Sequence, residues 1–264
     1  MTDFTPFEIV EGDAAKGLVL LADHATNRLP ARYGDLGLPA SAFTRHIAYD
    51  IGVEGVTRGL AARLGVPAVM SCFSRLLIDP NRGEDDPTLI MKLSDGAIIP
   101  ANHPLDEDER LHRLNAYHRP YHRAVADTIA RVTAASGAAP LVLSIHSFTP
   151  FWKNVARPWH AAILWDSDDR AVTPFLKMLR DDPDMVIGDN EPYDGALRND
   201  TMFRHCTAKG LAHALLEIRQ DLIGDAAGIA GWVDRLAPIA ASLNAMPELH
   251  EVRHFGSRTG PIEA

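Results

Sequence analysis

The sequence predicts an α/β fold: one domain over residues 1–264, with a mainly parallel, mixed sheet carrying helices on both faces. Three observations lead there. Short apolar runs without alternation recur along the chain, as strands buried on both faces require. Stretches of helical periodicity separate them, and Gly or Pro marks the junctions. Gly17 to Ala22 (GLVLLA) is the first strand, and it empties into the polar group Asp23, His24, Ala25, Thr26, Asn27. From Ile51 to Leu64 apolar residues return at helical spacing until Gly65 and Pro67 end the helix ahead of a second strand, Ala68 to Cys72. This is a βαβ rhythm. Phe73 to Pro104 is polar and irregular, too long for a simple connection, and is expected to cover a site, as is a loop over 148–160. Asp106 to Ser136 reads as helix with an acidic opening, kinked or divided by Pro120. Leu141 to Ile145 repeats the first pattern, an apolar run ending on His146. Strands at Ala161 to Trp165, Met185 to Gly188 and Ala212 to Ile218 follow, with helices at Arg170 to Leu179 and Asp225 to Leu243. No repeat, linker or low-complexity tract interrupts the series.

Composition narrows the function. With 264 residues, 46% of them apolar, the chain is long enough for one large core and is not disordered. A formal charge of −9 and the lack of any Lys/Arg run argue against nucleic acid as a partner. No apolar window approaches the roughly 18 residues of a membrane span, and the opening MTDFTPFEIVEGD lacks a signal-like apolar stretch, so a cytoplasmic protein is expected. Only two cysteines occur, Cys72 and Cys206, which excludes a disulfide framework or a Cys-rich metal site and leaves both as structural thiols.

In an open parallel sheet, ligands bind beyond the carboxyl ends of the strands, where His24, His146 and Glu217 are all expected. Catalytic zinc takes three protein ligands, typically imidazoles and a carboxylate, and keeps one position open. His24 and His146 supply two. The third is open between Asp50, which could equally cap the helix that follows it, and Asn27, a weaker donor in the loop of His24. One divalent metal, zinc by preference, is the expected cofactor. In SRLLIDPNR, residues 74–82, Arg82 is suited to gripping a carboxylate and Arg75 to meeting a developing oxyanion, unless Asp79 simply pairs with an arginine on a surface turn. Glu217 lies in an apolar stretch and suits a general base. Arg219 is either its ion-pair partner or a further substrate-binding cation. Asn190 and Tyr193, in GDNEPYD, could reach substrate, although the segment is also ordinary turn chemistry. His118 and His122 have the i, i+4 spacing of metal ligands but lack the glutamate of HExxH and flank Pro120. Trp152, Trp159 and Trp165 suit core or lid packing better than a binding box.

Seven stretches in order, ADHATNRLP, HIAYDIG, SRLLIDPNR, YHRPYH, SIHSFTP, DNEPY and EIRQDL, give the chain a resemblance to the N-formylglutamate amidohydrolase family over nearly its whole length. That family resembles the zinc carboxypeptidase and aspartoacylase group. The resemblance implies a phosphorylase/hydrolase-like fold, a metal at His24 and His146, a carboxylate grip at Asn81 and Arg82, an electrophilic Arg75 and Glu217 as base. The broader group has His-x-x-Glu as its first ligand pair, whereas Asn27 stands at the fourth position here, so Asp50 substitutes. The implied reaction is metal-dependent hydrolysis of an N-formyl amino acid such as N-formylglutamate, a small carboxylate-bearing substrate, to formate and the free amino acid. Other N-acyl amino acids, short peptides or cell-wall fragments are alternatives. So is a non-catalytic small-molecule-binding protein on the same fold.

Overall fold

A computed structural model describes residues 4–262. In chain order it contains β1 (Phe7–Val10), β2 (Leu18–Ala22), α1 (Val53–Leu64), β3 (Ala68–Ser71), β4 (Leu93–Ser94) and β5 (Ala97–Ile98). Then come α2 (Glu107–Arg113), α3 (Arg119–Ser136), β6 (Leu141–Phe148), β7 (Phe151–Trp152), β8 (Val155–Ala156) and β9 (Ala161–Leu164). The chain finishes with α4 (Val172–Arg180), β10 (Ile187–Asp189), α5 (Thr201–His205), β11 (His213–Arg219) and α6 (Ala226–Asn244).

Seven strands form the main sheet in the order β1-β3-β2-β6-β11-β9-β10. Its centre, β3-β2-β6-β11, is parallel; β1 and the β9-β10 pair run against it, so the sheet is mixed as expected. β2, β3 and β6 are buried throughout and β11 as far as Ile218, which is why these strands read as largely apolar runs. Alternate side chains feed two cores. Leu18, Leu20, Leu143 and Leu216 pack with α1, α4 and α6 through Val56, Leu60, Phe175 and Leu236. Val19, Leu21, Val69 and Val142 face α3 and the 73–104 segment, through Tyr121, Val125, Phe73 and Ile78. Helices therefore cover both faces of one sheet. Among the described residues, no helix is long and apolar enough to cross a membrane.

Three differences from expectation bear on the site. β6 runs on to Phe148, because β11 pairs with it in parallel as far as Arg219 opposite Phe148. His146 and Glu217, directly opposite each other, thus lie on the last rungs of the sheet rather than past it. Pro120 causes no break, since it sits in the first turn of α3, where a missing N–H is tolerated. The irregularity falls just before it, in a π-type turn over Leu114–His118. Finally, the 73–104 and 148–160 segments each carry a small hairpin, β4-β5 and β7-β8.

Candidate active site

His24 stands two residues beyond β2, and its carbonyl accepts the backbone N–H of Asp50 at 2.9 Å. That contact draws the loop before α1 over the sheet end. The N-cap of α1 is Gly52, at φ 84°, where a Cβ would lie 2.2 Å from the Ile223 carbonyl oxygen. The Asp50 carboxylate is therefore free of capping and turns toward the histidines. His146 Nδ1 lies 3.0 Å and His24 Nδ1 3.4 Å from Asp50 Oδ2. One donor atom from each of the three residues falls within 4.8 Å of the others, and all three residues are buried.

The surroundings fit a metal ion. Each imidazole uses Nε2 on a carboxylate of its own: His24 donates to Asp79 Oδ1 at 2.7 Å, and His146 to Asp23 Oδ2 at 3.0 Å. An imidazole held in that way presents the Nδ1 lone pair to the shared centre, the arrangement that orients metal-binding histidines. Asp50 Oδ1 is buried without a hydrogen-bond partner. Burial disfavours ionising Asp50, but the charge and hydrogen bonds of His24 and His146 outweigh it and hold the carboxyl well below its usual range. Two imidazoles and a carboxylate could thus hold a divalent ion. Asp23 is tied in further by Tyr121 Oη at 2.7 Å and Thr201 Oγ1 at 2.8 Å.

A cavity of about 490 Å³ opens over these residues and is also lined by Arg75, Asn81, Arg82, Tyr193 and Glu217. Glu217 is 7% exposed and its Oε2 has no partner. Burial pushes its carboxyl up to about 7; His146 opposes that shift and Asp50 adds to it. Arg75 donates Nε and Nη2 to Asp79 Oδ2, at 3.2 and 2.8 Å, and brings Nη1 to 3.5 Å from Asp50 Oδ1. Asp79 therefore fixes both His24 and Arg75, a far more central place than a surface turn. Asn81 Oδ1 accepts the Thr201 N–H, while Arg82 Nη1 donates to the Asn81 carbonyl at 2.7 Å. His118 and His122 are not at the metal-binding group. Their Nε2 atoms donate to the carbonyls of Arg82 and Pro80, at 2.9 and 3.0 Å, bracing the turn that presents Arg82.

Three expected site residues are not brought to the cavity. Asn27 turns away to donate Nδ2 to the Phe43 carbonyl at 2.6 Å, which removes it from competition with Asp50. Asn190 spends Oδ1 on the N–H groups of Trp165 and Gly195, so it builds the turn that carries Tyr193. Arg219 pairs with Asp221 at 2.8 Å and with the carbonyls of Arg157 and Trp159, rather than with Glu217 or the cavity. Sequence reasoning overlooked Asp23, which holds His146, and His46 and Asp200, which line the cavity. Asp23 and His46 carried a signal, one adjoining His24 at a strand end and the other lying four residues before Asp50.

Asp200 lines the cavity and accepts the Phe203 N–H at 2.7 Å as the N-cap of α5. Burial pushes its carboxyl up to about 7, against the Phe203 hydrogen bond and with help from Asp23. Because the folded-state value exceeds the unfolded one, folding of the metal-free protein loses stability as pH rises from about 4 to about 7. Asp200→Asn keeps a capping oxygen and removes the charge. Denaturant titrations of the metal-free proteins should show the variant gaining on the wild type across that window, by at most about 4 kcal/mol. A difference independent of pH would refute this.

Against known proteins, the model of the family described as N-formylglutamate amidohydrolase matches residues 16–224. A gene product of Agrobacterium tumefaciens, known from its crystal structure, is 30% identical, with 93% of this chain and 97% of that one covered at a TM-score of 0.85. N-formylglutamate amidohydrolase from Ralstonia eutropha, at 22% identity, covers 91% of this chain and 97% of its own at a TM-score of 0.65, a likeness of fold. No curated protein matches the chain. The family match spans the strands, loops and turns that carry every residue of the cavity named above. The chain belongs to the N-formylglutamate amidohydrolase family.

Proposed function

We propose that the protein hydrolyses the amide of an N-formyl or other short N-acyl amino acid, releasing formate or another small acid and the free amino acid. The observation that carries this reading is the convergence of His24, Asp50 and His146 on one point beside the unpartnered carboxyl of Glu217, at the floor of a cavity. His24, Asp50 and His146 would hold a divalent metal, zinc by preference. When bound, it would supply Lewis acidity toward the scissile carbonyl and toward water. Glu217 takes the proton of the attacking water and delivers it to the nitrogen as the C–N bond breaks. A carboxyl poised near neutrality suits both transfers. Arg75, whose Nη1 faces the Asp50 side of the cavity, opposes the negative charge that develops on the carbonyl oxygen. Arg82, with no carboxylate among the described residues nearer than Asp86 at 4.0 Å, and Asn81 receive the substrate carboxylate. The partner in this reading is a small carboxylate-bearing molecule; a net charge of −9 argues against a polyanion.

Formate release from N-formyl amino acids should depend on added zinc. Arg82→Ala should raise KM for a carboxylate-bearing substrate by about 10- to 100-fold, with kcat much less affected, the loss expected for one charge-assisted contact. An unchanged KM would remove Arg82 from substrate recognition.

A further inference from the structure

Resting on this amide-hydrolysis reading, we infer that the amino acid released carries an apolar, uncharged side chain rather than a second carboxylate. The cavity has two kinds of wall. Around Glu217 and the metal-binding group it is polar, whereas Ile47, Met91, Trp152, Leu164, Leu197 and Leu215 give it an apolar lining interrupted by Ser94, Asp95, Tyr193 and Asp194. Leu164 and Leu215 stand opposite each other on β9 and β11, so the apolar wall is built into the sheet itself.

A substrate with two carboxylates needs two cations, since a carboxylate moved from water to an apolar wall without a partner is strongly disfavoured. Among the described residues, two guanidinium groups line the cavity, those of Arg75 and Arg82. Arg75 is committed to Asp79 and Asp50, which leaves Arg82 for one carboxylate. His46 also lines the cavity, but its Nδ1 lies 3.5 Å from Asp50 Oδ1, which engages it with the metal-binding group rather than with a substrate side chain. Arg157 lies behind the wall. It donates to Thr149 and to Tyr193 Oη, and its guanidinium sits 5.0 and 5.8 Å from the ring centroids of Tyr193 and Trp152, the residues that face the cavity.

A cationic side chain is matched no better. Asp95 is engaged by Arg45, and Asp194 gives both carboxylate oxygens to Arg258. Asp200 is spent on capping α5; the rest of the wall is apolar or uncharged, and about 490 Å³ leaves room for a side chain bulkier than that of glutamate.

The test is release of the free amino acid by the zinc-loaded protein from the N-formyl and N-acetyl derivatives of leucine, phenylalanine and glutamate. The leucine or phenylalanine derivative should exceed the glutamate derivative in kcat/KM by at least about tenfold. Equal or better turnover of the glutamate derivative would overturn the inference while leaving amide hydrolysis intact. No amino acid from any of the six would sink the hydrolysis reading and the inference with it.

Discussion

Glu217→Gln is expected to lower kcat for amide hydrolysis by about two to four orders of magnitude, the usual worth of a positioned general base. Gln keeps the size and one acceptor oxygen of Glu but cannot take up the proton. Oε2 of Glu217 makes no hydrogen bond, so few protein contacts are lost, and the fold should be undisturbed. Glu217 is also not one of the three residues that could hold the ion, so zinc content should stay the same. Its burial is what makes the effect large. A carboxyl pushed up to about 7 accepts and donates a proton near neutral pH, whereas an exposed glutamate would be too weak a base. Steady-state kinetics together with metal analysis of the variant check this. Full activity at normal zinc content would remove Glu217 from the chemistry.

His146→Ala is expected to abolish both tight metal binding and turnover. His146 joins Asp50 to Asp23, through Nδ1 and Nε2 at 3.0 Å each. Its removal deletes one of the three residues that could hold the ion and leaves two buried carboxylates facing a void. Breaking a buried ion pair from one side typically costs about 3–5 kcal/mol, so the melting temperature of the metal-free protein should fall as well. Asp23 keeps its bonds to Tyr121 and Thr201, which should preserve the fold well enough for purification. Circular dichroism would separate loss of metal from loss of structure. A folded His146→Ala protein that retains zinc at wild-type affinity would contradict the assignment.

Much of this architecture was legible in the sequence because buried parallel strands write themselves as continuous apolar runs. The residues that interrupt those runs mark strand ends, which is how His24, His146 and Glu217 stood out. Asp50 was ambiguous for a physical reason. An aspartate just before a helix has the composition of a cap, and only the close approach of Gly52 to Ile223 shows that the cap lies elsewhere. The second carboxylates, Asp23 and Asp79, were visible as residues but not as partners, since each meets its imidazole across a long chain separation. Arg219 misled because it lies two residues from Glu217 on the same strand, while the loop carbonyls and Asp221 that claim it come from the fold. Strand direction was equally hidden: nothing in AAIL shows that β9 runs antiparallel to β11. The short strand β1 and the hairpins β4-β5 and β7-β8 are too brief, or too exposed, to leave a periodic signal.

Uptake of zinc by the metal-stripped wild-type protein, followed by titration calorimetry and elemental analysis, bears most directly on these conclusions. One ion per chain is expected, bound tightly by the wild type and lost in His146→Ala. A well-folded wild-type protein that takes up no divalent ion would contradict the proposal that His24, Asp50 and His146 form a metal centre.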